Sequence, residues 1–132
     1  MRRRTLLVLA AFACALPGRA PASEDKKKKA GGETYIQIET LTAYTIRASG
    51  RRGVMTVDCG LDVPDANLRE RTELLLPRLR AGYVQSLQIY AGGLPPDTAP
   101  DPAFLATSLQ RVTDEVLGRR GARLLVGAVL VN

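Results

Sequence analysis

The chain contains no histidine, and its two cysteines are Cys14 and Cys59. Without histidine, the serine and cysteine hydrolase arrangements lack their usual base near neutral pH. Zinc and iron sites lose their commonest ligand. Two carboxylates could serve a glycosidase, but a fold this small offers no deep cleft and no obvious pair. Asp62/Asp65 and Asp97/Asp101 read as turn and cap residues. Gly92-Gly93 is no phosphate loop, because no Lys-Ser/Thr follows. No catalytic, cofactor or metal residue is therefore nominated, and the expectation is a protein that is not an enzyme. Long hydrophobic runs are missing too. The apolar stretch Thr5–Leu16 has 12 residues and Leu124–Val131 has eight, short of the roughly 18–20 that span a bilayer.

The positive charge is unevenly placed. The formal net charge is +6. Arg2, Arg3, Arg4 and Arg19 lie at the front of the chain, followed by Lys26–Lys29. Residues 33–132 hold 11 arginines against 11 acidic residues. The excess belongs to the leader and tail, so the domain carries no basic nucleic-acid-binding signature.

Met1–Ala22 reads as a signal peptide. Arg2–Arg4 form a positive n-region, Thr5–Leu16 the apolar core, and Ala20-Pro21-Ala22 a small-x-small cleavage site before Ser23. The reading predicts export to a bacterial periplasm, with cleavage after Ala22. Cys14 follows Ala11-Phe12-Ala13, which loosely resembles a lipoprotein box, but Phe12 and the lack of Leu three residues upstream disfavour anchoring there. The arginine cluster also suits a twin-arginine leader. After cleavage Cys59 stands alone and no intramolecular disulfide can form.

Ser23–Gly32 (SEDKKKKAGG) reads as a flexible tether. Lys26, Lys27, Lys28 and Lys29 are the candidate contacts to an acidic partner or to anionic lipid, in which case membrane contact is peripheral. A solvated linker is the plainer reading. Residues 33–132 then form one domain, within the usual range of roughly 100–200 residues.

Thr34–Arg47 alternates at Ile36/Ile38 and at Tyr44/Ile46, which suggests extended structure broken near Leu41. Ser49–Gly53 is a turn. In Val54–Val63, Met55, Val57, Cys59, Leu61 and Val63 point one way, so one face is buried. Cys59 then serves as a small apolar core residue. Asp65 caps a helix whose stripe is Leu68, Leu75, Leu79, Tyr83 and Leu87, and Pro77 should kink or split it. Leu94–Asp101 is a proline-punctuated loop. Asp101 and Pro102 open a second helix with Leu105, Leu109, Val112 and Val116 as its stripe, closed by Gly118 and Gly121. Leu124–Val131 is apolar on both faces and is expected in the middle of the sheet. The order strand, strand, helix, helix, strand predicts an α+β domain: a small, mainly antiparallel sheet with helices on one face.

From about Thr40 to Asn132 the chain resembles the periplasmic domain of the FliL family, the flagellar basal-body-associated proteins. The pieces are Tyr44-Thr45-Ile46, the turn Gly50–Gly53, the strand Met55–Val63, Pro77-Arg78-Leu79-Arg80, the helix Phe104–Leu117 and the terminal strand Leu124–Asn132. The match is one of element order and hydrophobic pattern. It implies a stomatin-like domain able to self-associate, with a role beside membrane motor complexes. The function expected is therefore a non-enzymatic exported interaction protein with a protein partner in the envelope. The alternative is a periplasmic ligand- or lipid-binding module unrelated to motility.

Overall fold

The computed structural model describes residues 32–132. The leader, Cys14 and Lys26–Lys29 lie outside the described residues. Six elements follow in order: β1 (Tyr35–Ile46), β2 (Arg52–Asp62), α1 (Ala66–Leu74), α2 (Leu76–Gly93), α3 (Pro102–Leu117) and β3 (Arg123–Val131). The strands form one antiparallel sheet in the order β1-β2-β3. The helices pack on the face opposite solvent, with α2 over β1 and α3 over β3. This is the small α+β architecture expected.

β2 is central, and its alternation is unbroken. Met55, Val57, Cys59, Leu61 and Val63 are all buried. At β1 the alternation changes phase. Ile36 and Ile38 are buried, and so are Leu41, Ala43 and Thr45, while Tyr44 and Ile46 face solvent. The cause is a β-bulge: three steps on β1, from Ile38 to Leu41, match two on β2, from Cys59 to Val57. The extra residue turns the rest of the strand over. A second bulge sits on the other side of β2, where Val126 to Val129 again matches Cys59 to Val57. Both bulges thus oppose Asp58, whose Oδ1 accepts from the Thr40 hydroxyl at 2.6 Å.

Gly60 lies between the bulges and the open end of the sheet. A Cβ there would fall 2.0 Å from Tyr35 Oη, because the Tyr35 ring lies across the glycine. Aromatic cover of a strand glycine replaces the packing that the missing side chain would give. Gly60→Ala should cost about 1–3 kcal/mol through overpacking, and much less in a Tyr35→Ala background. A double-mutant cycle in denaturant checks this; strictly additive costs would show that the ring does not rest there.

The long helical run is split, the second of the two outcomes expected from Pro77. α1 ends at Leu74, and Leu75 caps both pieces with φ −95° and ψ 5°. Pro77 then occupies the first turn of α2, where a missing N–H leaves no bond unmade. Leu68, Leu79, Tyr83 and Leu87 are fully buried, as the stripe predicts, and Leu75 is partly buried.

On α3 the stripe is corrected. The buried residues are Leu105, Leu109, Thr113 and Leu117; Val112 and Val116 are only partly buried. Val112 instead meets α2 at Gly82, where an added Cβ would lie 2.7 Å from its Cγ1. Asp101 caps the helix by accepting from the N–H groups of Ala103 and Phe104, and Gly118 ends it in the left-handed region at φ 72°. Both ends are as expected.

β3 is not central. Among the described residues it pairs with β2 alone and forms one edge of the sheet. Its apolar residues split between a half-buried inner set and an exposed outer set.

Candidate interaction surface

A three-stranded sheet has two edges, and each presents backbone donors and acceptors that need partners. At the β1 edge, the Gln88 side chain supplies them. The Tyr44 N–H donates to Gln88 Oε1 at 3.0 Å, and Gln88 Nε2 donates to the Tyr44 carbonyl at 3.2 Å. A single amide from α2 thus substitutes for a strand. The Arg80–Glu39 ion pair spans the same edge.

At the β3 edge, Gln110 of α3 does the same at one end only. Its Nε2 donates to the Ala122 carbonyl at 2.8 Å, and its Oε1 accepts from the Leu124 N–H at 2.8 Å. Beyond Leu124 no strand among the described residues pairs with this side.

Which groups point outward follows from the ladder. Val54 and Asn132 exchange both backbone bonds, at 3.0 and 2.9 Å. Alternation along an antiparallel pair then turns Val131 and Val129 away from β2. From the other end, Leu124 faces Gln110, so Leu125 faces β2 and Val126 faces outward. The free edge therefore offers the backbone of Val126, Val129 and Val131.

The outer face of the same strand is apolar. Leu125 pairs with Gly60 and Leu130 with Thr56, and they are 39% and 58% exposed. Tyr44 and Ile46 continue this face across the sheet, with the Arg52 guanidinium 5.0 Å from the Tyr44 ring centre. The stretch from Leu124 to Asn132 carries no charge. Soluble proteins normally guard such an edge with lysine, proline or a cover.

A second apolar feature lies at the α2–α3 connection. It is a cleft of about 440 Å³ lined by residues including Ile89, Leu94, Pro95 and Phe104. The Phe104 ring stacks on Tyr90 with centres 5.4 Å apart. The Tyr90 hydroxyl accepts from the Asp101 N–H at 2.8 Å.

The remaining residues singled out from the sequence fall into supporting roles. Cys59 is buried, and burial with the neighbouring Asp58 charge pushes its thiol up to about 11. Asp65 caps α1 and pairs with Arg119, whose hydrogen bond holds the carboxyl below its ordinary value. Asp62 accepts from the Thr34 hydroxyl at 2.6 Å. Among the described residues no three His, Cys, Asp or Glu side chains gather to hold a metal, and no helix is long and apolar enough to cross a membrane. The β3 edge was missed from sequence because its continuous apolar run reads as a buried strand.

No family model matches this chain, and comparison with curated proteins gives no significant match.

Proposed function

We propose that this chain is a non-enzymatic exported interaction protein that works by docking its sheet onto another macromolecule of the cell envelope. The open, uncharged β3 edge with Leu125 and Leu130 beside it carries the reading. An edge strand with unpaired backbone accepts a further strand, and flanking side chains give the selectivity. The Met1–Ala22 leader supports export. The FliL-like order of elements supports a place beside the flagellar motor. In this reading Lys26–Lys29 hold the domain near an acidic or anionic surface.

Leu130→Lys tests it. Leu130 is exposed and touches no core residue of the helices, so the fold should survive, with unchanged circular dichroism. Cross-linking in cells should join the wild-type protein to an envelope protein and lose that product in the variant. Deletion of the gene should impair swimming if the site is flagellar. An identical cross-linking pattern for both proteins would reject the edge as the docking surface. The 440 Å³ cleft at Ile89 and Phe104 favours the second reading, a module for a small apolar ligand or lipid. In that case a bulky Ser108→Trp change, and not Leu130→Lys, should abolish binding of an apolar fluorescent probe.

A further inference from the structure

We infer that the partner of the β3 edge is the β3 edge of a second copy of this chain. The inference rests on reading that edge as the docking surface, and it names the occupant. The argument is the symmetry of the strand. A two-fold contact places the same surface on both sides, so residue i meets j and j meets i. An edge strand satisfies this in an antiparallel pair only if it matches itself when read backwards.

β3 does so about the Gly127–Ala128 step. Pairing across that point sets Leu125 against Leu130 of the second copy, Val126 against Val129, and Gly127 against Ala128. Each pair is chemically alike. Each also agrees in direction, which the sequence alone would not give. Leu125 and Leu130 both lie on the outer face, because their partners on β2 are Gly60 and Thr56. Val126 and Val129 both lie on the inner side, opposite Cys59 and Val57.

The bulge creates this agreement. In an unbroken strand, residues 125 and 130 are separated by an odd number of positions and face opposite sides. The extra residue at 127–128 restores them to one side. The backbone agrees as well. Val126 and Val129 are both outward-facing, so each N–H and C=O meets its counterpart. Gly127 and Ala128 are small and exposed at the centre of the contact, where two bulged strands need room. Gln110 already holds the Leu124 N–H, which confines the ladder to about Leu125–Leu130. No charge opposes the approach between Arg123 and Asn132. The product is a continuous six-stranded sheet with helices on one face and four leucines in two pairs on the other.

The register makes a sharp test with full-length protein and analytical ultracentrifugation. Wild type should sediment as a dimer. Leu125→Lys with Leu130→Lys places lysine against lysine twice and should give a monomer with unchanged circular dichroism. Leu125→Glu with Leu130→Lys places opposite charges at both pairs and should restore the dimer, now weakened by salt. A monomeric wild type, or a dimer that survives the double lysine change, overturns the proposal. So does failure of the Glu/Lys protein to dimerise while it keeps its fold. Cross-linking to an envelope protein distinguishes the two levels. A monomeric wild type that still yields a Leu130-dependent cross-link sinks the self-pairing and leaves the docking surface standing. A monomer with no such cross-link sinks both.

Discussion

Deleting Thr40 should destabilise the domain by about 3–6 kcal/mol, whereas Thr40→Ala should cost no more than about 1 kcal/mol. The contrast follows from the bulge in β1. With Thr40 gone, three steps against two become two against two, and the strand alternates without interruption. Ile36 and Ile38 can then no longer face inward together with Leu41, Ala43 and Thr45. One half of the strand must turn over. The C-terminal half is held more firmly. It runs into the turn where the Arg47 and Arg51 backbones bond at 2.8 Å, and Gln88 grips Tyr44 on the open side. The N-terminal half should therefore yield and carry Ile36 and Ile38 into water. Burying a large aliphatic side chain stabilises by about 1.5–3 kcal/mol, which sets the size of the loss for two. Against a total of about 5–15 kcal/mol for a domain, this is a large share. Thr40→Ala loses only one exposed hydroxyl bond to Asp58, worth about 0.5–1 kcal/mol. Urea titrations of the two variants decide the matter. Equal midpoints would mean that the bulge does not set the register.

The same bulge explains how far the fold can be read from the residues. β2 is transparent because it is central and carries no extra residue of its own: every second side chain from Met55 to Val63 goes inward. β1 is transparent only as far as Ile38. After it, the small Ala43 and the polar Thr45 go inward while the larger Tyr44 and Ile46 go outward, so side-chain size at the end of the strand points to the wrong face. The break expected near Leu41 is where the bulge lies, but threonine fits either side, so Glu39-Thr40-Leu41-Thr42 does not say which residues turn inward after it. On α3, Thr113 does not enter the expected stripe because its hydroxyl has no visible partner in the sequence. Its partners are Leu109 one turn back and Tyr83 thirty positions earlier. The β3 edge fails for a different reason. A strand buried on two faces and a strand whose second face awaits another chain have the same composition, and the difference appears only when the neighbours are counted. The helix ends were legible because capping is local: Asp65, Asp101 and Gly118 act within a few residues of themselves.

Stability should also fall steeply between about pH 9 and pH 12. Tyr83 and Cys59 are the reason. Tyr83 is fully buried, and its hydroxyl lies 2.5 Å from Thr113 Oγ1. The Thr113 hydrogen is committed to the Leu109 carbonyl at 2.9 Å, so Tyr83 is the donor. Burial pushes the phenol from its ordinary 10.0 up to about 12. Burial likewise pushes the Cys59 thiol from 9.0 up to about 11. Both groups are neutral when protonated, so both fold best with the proton on. For a group whose folded value is raised, the contribution is whole below the unfolded value and gone once pH passes the folded one. The cysteine therefore weakens the fold from about pH 9 to 11, and the tyrosine from about pH 10 to 12. Each pH unit of separation corresponds to 1.36 kcal/mol, so each group accounts for on the order of 2–3 kcal/mol. Cys59→Ala should keep stability level up to about pH 10 while lowering it uniformly through the smaller side chain. Tyr83→Phe should remove the later fall, at a cost of about 1 kcal/mol at neutral pH for the lost bond to Thr113. Denaturant unfolding at a series of pH values separates the two steps. A stability curve that stays flat to pH 12, or one that Cys59→Ala leaves unaltered in shape, would contradict the assignment.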